Sequence, residues 1–471
     1  MWEKYSFQRS AHQTQLNALE VKVSVSPLLL VIDPNFSQES IVEMDYLREL
    51  NASPPFKFVR YVDRPIPVPA REFNFTNEEH LPLEVGEFLA VPVEVLEENL
   101  PSHYVYYKDE GSITNIPIAY VDEILARARI WESEREIGKQ LSRASLVAYL
   151  SAEGLGFDLF VSDSDYLIAN YQLGKTYAVS PADALAFGGL TMRMRGETIL
   201  GVSDTGHHTA TNDWAYFLES RYLFEPIARL AIRDDTQSSY FNLLSGAVQR
   251  GQQLLRLRDE LVVFQLGDKD TYLTDPIFTF ESFWIYASGI FDCISQALNV
   301  AFSMGVNTRL AKFRNGTFKN KIPTLLPKVQ EFIDAHGTYS LVDIVSELRN
   351  TIHQEPSSLT TILHNQNDYY VMVSPEVSRL LIDNSDRFGL RAGIAGQDTD
   401  GRLHLKPIAF LEILLPQIVF HLNGLVQVPR WPRHFDPPPA FSANAVDGLF
   451  IRSAKRNHAL FGIDRTTTRG S

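Results

Sequence analysis

One cysteine, Cys293, is all that the 471 residues contain. No intramolecular disulfide can form, and a cysteine-rich zinc site is excluded. Set within Ile290-Phe291-Asp292-Cys293-Ile294, on an amphipathic stretch, the thiol reads as a small buried hydrophobe. Such sparing use of cysteine suits a reducing compartment. Also missing is any uninterrupted apolar run of the roughly 18 to 20 residues that a membrane span needs. The longest candidate, 408–426, is interrupted by Glu412, Gln417 and His421 and reads as a core helix. The opening Met1-Trp2-Glu3-Lys4-Tyr5-Ser6 lacks the basic-then-apolar layout of a signal peptide. A soluble, cytoplasmic chain with no membrane partner is the expectation. Positive charge is in short supply: 43 basic residues face 57 acidic ones, for a formal net charge of -14. That balance argues against a general polyanion or DNA binder, because neutralising phosphates takes clustered Lys and Arg. It leaves room for a small local basic site. There is no P-loop, no Rossmann glycine fingerprint, no HExxH and no nucleophile elbow. Internal repeats and long low-complexity tracts are absent as well.

What is present is enough apolar material for packed domains, at 45% hydrophobic and 21% charged residues. The length suggests two or three domains. In the first 200 residues, short apolar runs alternate with helical periodicity. Pro27-Leu28-Leu29-Leu30-Val31-Ile32-Asp33 has the pattern of a buried strand closed by an acid. Residues 90–93 and 104–107 are further strand candidates, and 121–152 has helical spacing. Asp158-Leu159-Phe160-Val161-Ser162-Asp163 reads as a strand ending in acids. Ser180-Pro181 then opens a capped helix. This order predicts an α/β domain with a parallel sheet over 1–200. From about 213 the pattern turns helical, with helices expected over 214–233, 238–264, 279–303, 324–336, 340–353 and 407–426. The division is a helical connecting region at 201–275, an all-α helical bundle at 276–430 and a Pro-rich extended tail at 431–471. Arg250, Arg256 and Arg258, beside Asp259 and Glu260, read as a solvated helix face. Gly206-His207-His208 reads as a polar loop.

Two groups of residues carry chemistry. Within Glu347-Leu348-Arg349-Asn350-Thr351-Ile352-His353, the residues Leu341, Ile344, Val345, Leu348 and Ile352 define an apolar helix face. Arg349 and His353, four apart, share one flank of it. A histidine near its ordinary pKa exchanges protons at neutral pH, and a guanidinium grips phosphate through a planar fork. Together they could activate a ribose 2′-hydroxyl and stabilise the charge that develops, with no metal. The competing structural role is an ion pair from Arg349 to Glu347 or Glu355, with His353 capping a helix end. From about 278 to 426 the sequence resembles the HEPN domains, helical bundles many of which are metal-independent ribonucleases, often acting across a dimer. The resemblance implies Arg349 and His353 as catalytic residues, Asn350 as the family's polar second residue, no cofactor at that site, RNA as substrate and a homodimer formed through the helical domain. It departs in spacing: only three residues separate Arg349 from His353, fewer than is usual, and many HEPN domains cleave nothing.

The second group is acidic. Asp158, Asp163 and Asp165 cluster around one predicted strand end, Asp33 ends the first strand candidate, and Glu134 lies on the preceding helix, flanking the apolar face made by Ile130, Ile137, Leu141, Ala144 and Ala148. Ligands in open α/β sheets gather at the carboxyl ends of strands, and such oxygens suit Mg²⁺ or Mn²⁺. The stretch 134–167 with Val179-Ser180-Pro181-Ala182-Asp183-Ala184-Leu185 is similar to the second half of a PIN-like nuclease domain, which implies a metal-dependent nuclease. The alternative is a set of surface acids capping a strand-to-helix loop. Three functions follow. The first is an RNA-processing protein of stress or defence, PIN-like then HEPN-like, that cleaves RNA with Arg349 and His353. The second is a non-catalytic dimeric scaffold that binds a partner. The third is cleavage by the acidic domain alone.

Overall fold

The computed structural model describes residues 28–36, 42–50, 56–62, 83–92, 103–109, 112–118, 120–135, 141–170, 176–194, 197–203, 206–233, 240–266, 276–354, 358–361, 369–431 and 459–461. The side chains of 351–354, Asn350's neighbours on the C-terminal side, lie outside the described residues, as does the tail at 432–458. Contacts divide the chain into two units, one built on Ala18–Glu197 and the other on Thr209–Ser471.

In the N-terminal unit the run Leu28–Ile32 forms strand β1. Leu30 and Val31 point to opposite faces and are both fully buried, as expected of a strand covered on both sides. Helix α1 (Val42–Leu50) leads to β2 (Phe56–Tyr61), and β3 (Glu87–Pro92), β4 (His103–Asp109) and β5 (Ser112–Ile118) follow. Then come helices α2 (Val121–Glu134) and α3 (Arg143–Leu155), strand β6 (Leu159–Val161), helix α4 (Asp165–Asn170), strand β7 (Tyr177–Val179) and helix α5 (Pro181–Met194). The sheet order is β5-β4-β3-β2-β1-β6-β7. Strands β3, β2, β1, β6 and β7 run parallel, as the alternation of elements predicts. The sheet is mixed rather than parallel throughout, because β4 pairs antiparallel with both β3 and β5. Only two residues separate Asp109 from Ser112, too few for the crossover that a parallel pair requires.

On one face Val31, Val59, Phe88, Phe160 and Ala178 pack under α2 and α3. On the other, α5 comes close enough that a Cβ at Gly188 would lie 2.9 Å from the Phe56 ring. The long helical stretch expected over 121–152 is two helices. Ser142 caps the second, its hydroxyl accepting from Ser145 N.

A two-stranded sheet, β8 (Glu197–Ser203) with β9 (Gly206–Thr211), follows. His207 and His208, expected in a loop, lie in β9. The C-terminal unit is mostly helical, with α6 (Asn212–Leu223), α7 (Glu225–Arg233), α8 (Phe241–Leu266), α9 (Pro276–Ala301), α10 (Pro327–His336) and α11 (Thr338–Gln354). Strands β10 (Ser358–Thr361) and β11 (Tyr369–Met372), helix α12 (Pro375–Asp383), strands β12 (Ile394–Gln397) and β13 (Leu403–Leu405) and helix α13 (Pro407–Gln427) complete it. The four strands form a sheet of order β10-β11-β13-β12, so this part is not all-α. At three or four residues each, these strands are too short to register as an alternating pattern.

Helices α9 and α13 are long and apolar enough to cross a membrane by length and composition, yet 67% of each apolar window is buried inside the unit. Trp284, Phe280 and Phe410 meet edge-to-face or tilted at the centre of the core. Cys293 is buried against Arg250, whose guanidinium donates to its Sγ at 3.4 Å. Arg258, expected on a solvated face, is only 1% exposed, and its Nη1 donates to Asp259 at 3.2 Å while its Nε donates to Glu412.

Candidate functional site

The parallel strands fix where a site can form. From β1 the chain moves outward through β2 to β3, and later returns to the other side of β1 as β6 and then β7. The strand order therefore reverses between β1 and β6, and open α/β sheets place their ligand crevices outside the carboxyl ends of the strands at such a reversal. Asp33 is the first residue after β1, and Ser162 and Asp163 are the first after β6. Asp33 is buried and fully engaged. Ser145 Oγ and Ser162 Oγ each donate to one of its oxygens at 2.6 Å, and Asn35 N donates at 2.9 Å. Asn35 Nδ2 donates in turn to Ser142 Oγ at 2.6 Å, at the N-terminal end of α3. The partial positive charge of that helix end faces the same residues. Asp163 is half-buried and Asp165 exposed at the start of α4.

Two acids fall elsewhere. Glu134 is the last residue of α2 and is exposed, whereas Glu132 on the same helix is 3% exposed. Glu132 Oε1 accepts from Leu141 N at 2.7 Å, one residue before the cap of α3. Its Oε2 is buried with no partner. The helix ends at Glu134, so of the two acids it is Glu132 that faces the interior. Asp158 precedes β6 and accepts from Leu29 N at 2.8 Å. In the β1–β6 register, Leu29 stands four residues before Asp33. At roughly 3.3 Å per residue, Asp158 sits about 13 Å from the carboxyl-end crevice. It fastens the amino ends of β1 and β6 to each other. Among the described residues no three acidic, histidine or cysteine side chains gather closely enough to hold a metal unaided.

In the C-terminal unit, Leu341, Ile344, Val345 and Leu348 are buried as the helical spacing predicts. Arg349 and Asn350 are half-buried beside them, and His353 continues α11 with its side chain outside the described residues. Arg349 borders a cavity of about 70 Å³ together with Ser288, Asp292, Lys312, Arg314 and Ser346. Lys312 pairs with Asp292 at 2.7 Å, and Arg314 is shared between Asp343 and Glu347 at 3.2 and 2.6 Å. Glu347, one suggested partner for Arg349, is therefore engaged by Arg314. Arg349 makes no hydrogen bond or ion pair among the described residues. Lys312 and Arg314 come from a segment with no sequence pattern, and only the tertiary fold brings them to α11.

No model of a known protein family, no curated protein and no solved structure matches this chain.

Proposed function

We propose that the chain processes nucleic acid, and that its N-terminal unit is a PIN-like nuclease domain working with Mg²⁺ or Mn²⁺. The observation that carries this is the meeting of Asp33, Ser162, Asp163 and the α3 N-terminus at the reversal of strand order, where open α/β sheets hold their ligands. The donor set suits a hard cation, being oxygen throughout, and Glu132 Oε2 is a buried acceptor with nothing to accept from. Mg²⁺ keeps several waters and needs only one or two carboxylates from the protein. Asp33 and Asp163 would hold the ion with waters in its other positions, and when bound it would supply a nucleophilic water and neutralise phosphoryl charge. Ser145 and Ser162 fix both oxygens of Asp33, and Asn35 ties that carboxylate to the cap of α3.

The test is cleavage of an end-labelled RNA by the full chain. Activity is expected in Mn²⁺, none in EDTA, and Asp163→Asn should reduce the rate by at least about 100-fold, the upper end of what losing an outer-shell partner costs a metal site. Cleavage that ignores both EDTA and Asp163→Asn would sink this reading. The same assay addresses a second one, in which a HEPN-like site cleaves RNA through Arg349 and His353 with Asn350 beside them. It draws support from the half-buried guanidinium of Arg349 at the rim of a cavity that Lys312 and Arg314 also line. Its mark is EDTA-resistant cleavage abolished by Arg349→Ala. No cleavage in either condition leaves the dimeric, partner-binding scaffold.

A further inference from the structure

The cavity that Arg349 borders lies between α9 and α11 and is closed by the segment that carries Lys312 and Arg314. Ser288 and Asp292 stand one turn apart on α9, and Ser346 and Arg349 one turn apart on α11. Ser288 is 7% exposed and Ser346 9%, yet neither hydroxyl makes a hydrogen bond among the described residues. A buried hydroxyl without a partner costs stability, so two of them lining one cavity call for an occupant that accepts. The cations point the same way. Lys312 is held by Asp292, and Arg314 by Asp343 and Glu347, whereas the guanidinium of Arg349 has no carboxylate among the described residues. Asp292 gives its Oδ2 to Lys312 at 2.7 Å, and no described residue donates to its Oδ1.

We propose that this cavity is a binding site for one free inorganic phosphate ion. Size sets the first limit. At about 70 Å³ the cavity has several times the roughly 10–15 Å³ that one water needs, and far less than the about 300–1,000 Å³ of pockets for drug-sized ligands. A tetrahedral oxyanion fits, and its oxygens can take the fork of Arg349, the two serine hydroxyls and the charge of Lys312. Asp292 sets the second limit. Inorganic phosphate keeps a P–OH at neutral pH and can donate it to a carboxylate. Sulfate and a phosphodiester carry no such proton, and a phosphomonoester has mostly lost its own, with a second pKa of about 6. Each of these would set an acceptor against the carboxylate of Asp292. Phe291 and Val345, both buried, make the lining partly apolar, which strengthens the pull of Arg349 and that repulsion alike. The inference is independent of the metal-dependent reading. It competes with the second one, because an Arg349 that holds a free ion is not available to an RNA strand.

The test is isothermal titration calorimetry of the full chain in EDTA, which keeps metal-held phosphate out of the signal. The titrants are sodium phosphate, sodium sulfate and a short unstructured RNA, at matched ionic strength. Phosphate should bind saturably, at one site per chain, and at least about tenfold more tightly than sulfate, the least that an unpaired acceptor in the site should cost. Arg349→Gln should weaken phosphate binding by about tenfold or more and Ser346→Ala by at least about threefold, as expected for hydrogen bonds to a charged group. Asp292→Asn should bring phosphate and sulfate within about threefold of each other, because an amide can donate to either ion. Neither Arg349 nor Ser346 bonds to another described side chain, so both variants should keep the circular dichroism spectrum of the parent. No saturable phosphate binding, sulfate binding as tight as phosphate, or an affinity unmoved by Arg349→Gln overturns the site. Displacement of bound phosphate by the RNA overturns it as well, and returns Arg349 to the cleavage reading.

Discussion

Arg258→Met is expected to destabilise the C-terminal unit by about 3–5 kcal/mol, the usual cost of removing one partner from a buried ion pair. Arg258 is 1% exposed in α8, and the groups around it are Asp259, beside it in sequence, and Glu412 of α13. Tyr216 adds a hydrogen bond from its hydroxyl to Asp259 at 3.0 Å. Burial works against the guanidinium, but the carboxylates of Glu412 and Asp259 outweigh it and hold the pKa of Arg258 above its ordinary value. Burial likewise works to push the Glu412 carboxyl up, and the charge on Arg258 opposes it. A guanidinium does not deprotonate in a protein, so Arg258 stays charged at neutral pH. Without Arg258, the carboxylates of Asp259 and Glu412 would lose the cation they share. The measurement is the denaturant midpoint of the helical circular dichroism signal, compared with that of the triple variant Arg258→Met, Asp259→Asn, Glu412→Gln. Removing the stranded charges should recover a large part of the loss, because replacing a whole buried ion cluster is often close to neutral. A single variant within about 1 kcal/mol of the parent would show that the cluster does not hold α8 to α13.

The same cluster shows how far sequence carries. Arg258, Asp259 and Glu260 on one helix look like a solvated charged face, and nothing local reveals Glu412, some 150 positions later, as the partner. Helices α9, α11 and α13 were legible because their apolar positions recur at helical spacing over many turns. Strand β1 was legible because five apolar residues end on an acid. The strands β10 to β13 were not, since three or four residues contain too few alternations to stand out.

At the candidate site, Asp33 and Asp163 could be placed from their positions just after strands. Asp158 could not, because the difference between the start and the end of β6 matters only once the parallel register with β1 is known. That Glu132 is buried and Glu134 exposed was not legible for a related reason. Both lie on one helix, and which of them is buried depends on where α2 ends and where the cap of α3 begins. Lys312 and Arg314 reach Arg349 by tertiary packing alone, and the side chain of His353 lies outside the described residues.

Acid should loosen the C-terminal unit through one histidine. His421, on α13, is 1% exposed and accepts or donates a 2.9 Å hydrogen bond at Nδ1 with Thr338 Oγ1. Phe332, Phe388 and Phe420 surround its ring, and the exposed His336 stands 6.4 Å away, centroid to centroid. Burial, with a smaller contribution from the charge of His336, pushes the pKa of His421 down to about 3. In the unfolded chain the same imidazole titrates near 6.5. Between those two values the unfolded state binds a proton that the folded state refuses, so stability is fully present above about pH 6.5 and falls as the pH drops toward 3. Each unit in that window costs about 1.4 kcal/mol, so the contribution at pH 4.5 is a loss of roughly 2.7 kcal/mol relative to neutral pH. His421→Gln keeps a polar group for Thr338 and cannot titrate. Unfolding midpoints of the parent and of His421→Gln, followed from pH 7 to pH 4.5, should therefore converge or cross as the pH falls, with the parent losing about one proton's worth more stability per unit. Parallel profiles would mean that His421 opens to solvent and takes up its proton in the folded state, and that the aromatic cage around α13 does not exclude charge.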